Sequence, residues 1–397
     1  MFGLRTINAL EMRDINRSAI LELIRRESPI SRTAIAERLQ VSLPTVMRII
    51  DQLIEEDLVR PQGATEWSGG RRRTLLAFNA DHHVVIGVDL GGLKMFGAIA
   101  NLGGKILQEA DIVRHASSGE ENFQNLVRLI EVLLASPTIE GKKIWGIGIG
   151  APAVTYHQSG VITWAYSLNW KDYPLKARLA EHFRLPIIVD NDVNLAALGE
   201  FWFGAGQNKQ NMVVLAIGTG IGAGIIINGA LYRGAHEASG EVCNIIPGRE
   251  FLGKSYQEFG ALESLASNIG IANQTRLALK DRFTPKELEN LDAHDFYLAV
   301  RRYEAWAQQL LSETIDYLAI GVVNITACFD PELIILGGEI AQYADLYIEP
   351  ILERIKGALP KPPCLVASSL GNRAVVMGAI TNVLHNTADF YVVQKLS

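Results

Sequence analysis

Two stretches far apart in the chain repeat one pattern, and this duplication constrains the fold most. Residues 84–100 read as an apolar strand ending in Asp89, a turn at Gly91 and Gly92, and a second apolar strand. Residues 213–229 read as an apolar strand, a turn at Gly218, Thr219 and Gly220, and another apolar strand. Short apolar runs punctuated by glycine are buried strands joined by tight turns. Either turn alone is explained by a hairpin. Two matching halves, spaced by about one domain, imply an internal duplication that encloses a cleft. Glycine turns at strand ends also let backbone N–H groups close around a phosphate. Residues 333–339 make a third strand-to-glycine junction, after a long helical segment over 296–328, and the last helix begins at Ala374.

Residues 185–200 mark the centre of that cleft. Ile187 to Val189 reads as a buried parallel strand, and the carboxylates arrive where it ends. Residues 194–201 then read as an Ala- and Leu-rich helix. In open α/β sheets, ligands bind outside the carboxyl ends of strands. Asp190, Asn191 and Asp192 therefore stand where a small molecule would be held. Asn191 donates and accepts hydrogen bonds, while an ionised Asp192 only accepts. Together they suit the vicinal hydroxyls of a sugar, and Asp192 can serve as general base on one of them. The same residue types also cap helices, so this stretch by itself leaves both readings open.

The first 80 residues have a different character. Ile15, Ala19, Ile20, Leu23 and Ile24 form a helical stripe. Ser31 is placed to cap a second helix over 32–39, and Ser42 a third whose inner face is Val46, Ile49, Ile50 and Leu53. Two short helices joined by a tight turn make a helix-turn-helix. Arg32, Ser42, Pro44, Thr45 and Arg48 lie where such a motif meets DNA, the last four at the start of the third helix. A hairpin wing follows, with Arg71, Arg72 and Arg73 at its tip for phosphates or a minor groove. This head carries 12 Arg, no Lys and 10 acids, a net of +2, while the remainder carries 25 basic and 33 acidic residues, a net of −8. A basic head on an acidic body fits nucleic acid at one end.

The 397 residues are too many for one ordinary domain. No leading apolar segment and no uninterrupted apolar run of membrane-spanning length are present, so no membrane partner is expected. Cys243, Cys328 and Cys364 lie far apart, which fits a reducing, cytoplasmic compartment rather than a disulfide framework.

These residues resemble the ROK family, which unites repressors, unassigned reading frames and sugar kinases. Residues 13–17, 31–32, 44–46 and 68–71 are similar to the DNA-binding head of its regulator branch. Residues 89–94, 148–152, 188–200, 217–224, 240–241, 262–263 and 336–338 are similar to its kinase-like body. The resemblance implies an α/β chain: a winged helix-turn-helix plus a two-lobed actin-like ATPase (ribonuclease H-like, sugar-kinase) fold. The division expected is 1–80 for the head, 81–190 with the C-terminal helix 374–397 for the small lobe, and 191–373 for the large lobe. It also implies that sugar hydroxyls are held by Asn191, Asp192, Glu241 and Glu263. The family's His falls on Asn244, and a further family Asn falls on Ser167, with Asn169 two residues on. The family's zinc uses that His and three cysteines, yet residues 245–262 contain neither residue type. Tetrahedral zinc needs four ligands, so no structural zinc is expected. Ile246, Phe251, Leu252, Tyr256 and Phe259 are expected to order that loop by packing.

A sugar kinase needs a base, donors around the ATP phosphates, and Mg²⁺. Asp192 supplies the first, and Asp89, Gly91, Gly92, Gly218, Thr219 and Gly220 are phosphate-loop candidates. The family's kinases carry Thr where this chain has Leu93, and losing one positioned donor costs about two to three orders of magnitude in rate. The sequence therefore favours a sugar-responsive repressor acting as a dimer, or a dimer of dimers, on an inverted-repeat operator, with no cofactor required. Alternatives are a kinase using Mg-ATP, an activator, and regulation through a protein partner.

Overall fold

This computed structural model describes residues 9–64, 74–92, 94–114, 118–254 and 260–387. The head contains α1 (Ala9–Glu27), β1 (Ile30–Ser31), α2 (Arg32–Leu39), α3 (Leu43–Glu55), β2 (Val59–Ala64) and β3 (Thr74–Phe78). Ser31 Oγ caps α2 by accepting the Ala34 N–H at 3.3 Å. Gln40 turns the chain in a left-handed conformation (φ 52°), and Ser42 Oγ accepts the Thr45 N–H at 3.4 Å to start α3. Ile35, Val46, Ile49, Ile50 and Leu53 are fully buried, as the helical stripe requires. The strands pair in the order β1-β3-β2 to form the wing's base. Its tip, with Arg71, Arg72 and Arg73, lies outside the described residues.

The first large sheet holds β4 (His83–Asp89), β5 (Lys94–Asn101), β6 (Ile106–Val113), β7 (Lys143–Ala151) and, past a small antiparallel sheet, β11 (Ile187–Asn191). That small sheet is β8 (Thr155–Tyr156), β9 (Val161–Ala165) and β10 (Trp170–Tyr173). Helices α4 (Gly119–Leu134) and α5 (Leu175–His182) cover one face, where Phe123, Leu126, Ile130 and Leu179 bury against Ile86, Ile149 and Val189. The strand order is β11-β7-β4-β5-β6, with β4, β7 and β11 parallel and β5 and β6 antiparallel to their neighbours.

After α6 (Asp192–Phe203) the same design recurs in β12 (Met212–Ile217), β13 (Ile221–Ile227), β14 (Ala230–Leu231), β15 (Leu333–Gly337) and β16 (Leu365–Ala367). Their order is β14-β13-β12-β15-β16, again antiparallel on one side of the first strand and parallel on the other. The two sheets thus share one connectivity, the physical form of the sequence duplication. Between β14 and β15 lie α7 (Glu263–Ala266), α8 (Asn268–Leu279), α9 (Pro285–Glu289), α10 (Ala293–Arg301) and α11 (Ala305–Phe329). The long helical segment expected over 296–328 is two helices, α10 and α11. Tyr303 takes a left-handed φ of 59° between them, which an α-helix cannot accommodate. α11 is long and apolar enough to cross a membrane by length and composition, but over half of its most apolar window is buried, with Leu318, Val322 and Ile325 in the second core.

α12 (Ala344–Arg354) and α13 (Ala374–Thr387) complete the described chain. α6 and α13 cross with their backbones in contact. A Cβ on Gly199 would stand 2.2 Å from Ala374 O, and one on Gly378 1.7 Å from Leu195 O, so only glycine fits either position. α13 contributes Val376, Ile380 and Val383 to a core that also holds Ile20, Ile24 and Ile49 of the head. The far end of α6 also meets the head, where the Arg25 guanidinium of α1 stacks 5.6 Å from the centre of the Trp202 ring.

Candidate functional site: a carboxylate-lined cleft and a helix-turn-helix

The parallel strands of the first sheet end level with one another: Asp89 pairs with Gly150, and Gly150 with Asp190. Directly beyond, Asn191 caps α6, its Oδ1 accepting the Asn194 N–H at 2.9 Å, while its Nδ2 donates to Ala153 O at 3.2 Å. Capping and placement at the strand ends are thus combined in one side chain. α6 starts two residues before the expected helix, so Asp192 lies in its first turn, half-buried, with Oδ1 accepting the Val193 N–H at 2.8 Å. Asp190 is not a cleft group. It is fully buried, and its carboxylate accepts from both terminal nitrogens of Arg233 at 2.7 and 2.6 Å.

Four carboxylates from separate segments lie within electrostatic reach of one another in series, Asp89 of Asp192, Asp192 of Glu241, and Glu241 of Glu263. Burial, then the charge of Asp192, pushes the Asp89 carboxyl up to about 8, although Lys94 pulls it down. Burial pushes Asp192 to about 7, with Glu241 adding to the rise and the Val193 N–H opposing it. Glu263 is raised by desolvation, and also by the charge of Glu241, against a bond from the Ile221 N–H at 2.7 Å. Glu241 is raised by partial desolvation alone, its carboxylate receiving the Cys243 thiol at 3.7 Å. Asp89 and Asp192, raised toward neutrality, can donate as well as accept, which suits hydroxyl ligands and proton transfer.

The two glycine turns face each other, since a Cβ on Gly92 would lie 2.8 Å from Thr219 Oγ1. Gly220 backs onto the Glu263 carboxylate, and Gly218 O accepts the Asn268 N–H at 2.9 Å. Leu93 lies outside the described residues. Asn244 is exposed, its Nδ2 folded back toward Glu241 O at 3.4 Å. Ser167 and Asn169 are exposed on a 3-10 turn after β9. Sequence reasoning missed Arg114, which donates to Gly91 O at 2.8 Å, to Ser167 O and to Asn122 Oδ1, tying the first glycine turn to that 3-10 turn. An isolated Arg at a strand end carries no local signal of such a role.

Two of the side chains expected to anchor the loop after Glu241 do not do so. Ile246 and Leu252 are exposed, and Phe251 alone of the described candidates has a ring partner, packing edge-on to Tyr317 at 6.2 Å. Tyr256 and Phe259 lie outside the described residues. The family's zinc does not fit this chain, because the loop lacks its ligands, and no group of three or more His, Cys, Asp or Glu is placed to hold a metal among the described residues.

In the head, Ser42, Pro44 and Arg48 are exposed at the start of α3, and Thr45 is half-buried with its hydroxyl 2.8 Å from that of Ser42. Arg32 is turned onto α3, its Nη2 donating to Asp51 Oδ1 at 3.1 Å.

The sequence model of the ROK family matches residues 85–386. The chain belongs to the ROK family. A model described as winged helix-turn-helix DNA-binding matches residues 13–60, so the ROK body carries a DNA-binding head. The xylose repressor of Caldicellulosiruptor bescii is 30% identical over 389 residues, covering 96% of this ROK chain and 98% of the repressor. A glucokinase of Halalkalibacterium halodurans is 32% identical over 312 residues, covering 74% of this chain and 92% of the kinase. The crystal structure of a ROK family transcriptional regulator, a homologue of the Escherichia coli MLC protein, superimposes with a TM-score of 0.82 and 25% identity, covering 94% of this chain and 97% of that one.

Proposed function

We propose that this ROK chain is a sugar-responsive transcriptional repressor whose effector is held in the carboxylate cleft by Asn191, Asp192, Glu241 and Glu263. The observation that carries this reading is one chain joining a helix-turn-helix to that cleft through shared core packing. The xylose repressor matches over nearly the whole length, whereas the glucokinase matches 74% of the chain. Asn244, Ser167 and Asn169 set which sugar fits. Ser42, Pro44, Thr45 and Arg48 meet the bases, while Arg32 and Arg71 to Arg73 meet the backbone. A single helix-turn-helix reads one half-site, so the protein acts as a homodimer, or a dimer of dimers, on an inverted repeat in the cytoplasm. The domain division follows the sheets, with α13 joining residues 81–190 in the small lobe.

Asp192, titrating near neutrality, and Thr219 on its glycine turn favour a second reading, a sugar kinase with a DNA-binding head. In that case the glycine turns would hold the ATP phosphates and Asp192 would take the proton of the attacking hydroxyl. A thermal-shift screen with D-xylose, D-glucose and disaccharides, with and without Mg-ATP, separates the two. A ligand that binds only the folded state raises its melting temperature. A shift with one sugar, independent of ATP, together with release from operator DNA, supports the repressor. Sugar phosphate formed in the tube supports the kinase, and no response to any sugar overturns both.

A further inference from the structure

A chain of charged groups runs beneath the cleft, joining the end of β11 to the loop after β14. Asp190 is fully buried, one residue before Asn191. Its carboxylate accepts from Arg233 Nη1 and Nη2 at 2.7 and 2.6 Å, from Asn382 Nδ2 of α13 at 3.0 Å, and from the Asn191 N–H at 2.8 Å. Arg233 Nη1 also stands 3.6 Å from Glu237 Oε2, and Glu237 Oε1 lies 2.7 Å from His157 Nδ1 in the β8–β9 turn. A buried carboxylate is tolerated when its charge is met and its lone pairs are filled. Here residues 233, 382 and 191, from three separate segments, do both.

This arrangement has a geometric effect. A bidentate Arg–carboxylate pair fixes direction as well as distance. The Asn191 N–H is bonded to the same carboxylate, so Asp190 sets where Asn191 and Asp192 begin α6. Arg233 lies on the loop that carries Glu241, and that loop is pinned to β13 where the Ala223 N–H meets Gly240 O at 2.8 Å. The ion pair therefore spans the two halves of the hydroxyl-binding set. We propose that Arg233 is a positioning residue of the sugar cleft, fixing the spacing between Asn191–Asp192, where β11 passes into α6, and Glu241 on the loop after β14. The proposal rests on the sugar-binding reading above.

The test is isothermal calorimetry on the full chain with D-xylose and with D-glucose, for wild type, Arg233→Met and Arg233→Lys, well below each melting midpoint. Misplacing positioned groups by about 1 Å costs up to about 100-fold in reactions that depend on geometry, and hydrogen bonds to a bound hydroxyl are weakened by the same loss of alignment. Arg233→Met is expected to weaken the preferred sugar by more than about 10-fold and to flatten the preference between the two sugars. Arg233→Lys, which keeps the charge but not the fork, falls between it and wild type. A purely structural role would lower the melting midpoint and leave affinity and preference intact. Folded Arg233→Met binding within about twofold of wild type, with the same preference, overturns the proposal. Should Arg233→Met fail to fold, unchanged affinity and preference in Arg233→Lys overturn it. A wild type that binds no sugar by calorimetry sinks the sugar-binding reading itself, and the proposal with it.

Discussion

Replacing Asp192 by Asn removes a charge from the cleft while nearly preserving shape. Burial raises this carboxyl from 3.8 to about 7, a rise of about three units. Each unit is about 1.4 kcal/mol, so holding the charge in the folded state costs at most about 4 kcal/mol. The site is open to water, and solvent screening reduces the expected effect to about 1–2 kcal/mol. The sign follows from proton binding. A carboxyl whose folded pKa is raised stabilises the fold below its unfolded pKa, and that contribution is lost as pH rises through the folded value. Asp192→Asn should therefore exceed wild type in stability by about 1–2 kcal/mol at pH 8, with the gap closing as pH falls from about 7 toward about 4. Relief of Asp89, which is raised partly by Asp192, acts in the same direction. The assay is urea denaturation followed by tryptophan fluorescence, without sugar, from pH 5 to pH 8. A gap that does not vary with pH, or a wild type more stable at pH 8, would refute the reasoning.

Gly378→Ala places a Cβ 1.7 Å from Leu195 O and must force α6 and α13 apart. The expected loss is at least about 3 kcal/mol by urea titration, and a loss under about 0.5 kcal/mol would show that the crossing relaxes freely. Arg48→Ala, at an exposed position on α3, should cost about 1–3 kcal/mol of operator binding in gel-shift titration while leaving the melting temperature unchanged. Replacing Arg71, Arg72 and Arg73 together by Ala should flatten the log–log salt dependence of operator binding by up to about three. An unchanged slope would remove these arginines from the phosphate contacts.

The duplicated sheets were legible because strand and glycine patterns are local: residues 84–100 and 213–229 declare their turns in their own composition. The helix-turn-helix was legible for the same reason, through the caps Ser31 and Ser42 and the buried face of α3. What failed depends on distant partners. Asp190 looks like a cleft carboxylate beside Asn191, yet its partners Arg233 and Asn382 lie 43 and 192 residues away. Glu241 and Glu263 have no pattern that marks them; they were named through the family resemblance, and the structure places their charges within reach of one another. The break at Tyr303 was invisible because the apolar periodicity continues through it. Ile246 and Leu252 looked like loop anchors by hydrophobicity alone, and hydrophobicity does not say which way a loop side chain faces.

α6 has a geometry that bears on how a cleft of this kind can address DNA. Its 12 residues span about 18 Å at 1.5 Å per residue. One end begins at the Asn191 cap and the other carries Trp202 beneath Arg25 of the head. Such a rod does not stretch, so it works as a lever. A tilt of about three degrees about its cleft end carries the opposite end roughly 1 Å sideways over that length. Because Gly199 and Gly378 bring the backbones of α6 and α13 into direct contact where they cross, there is little soft material at that point to absorb the motion. A hydroxyl that tilted α6 by a few degrees at the Asn191 end would therefore shift the Trp202 end, against the head, by about 1 Å.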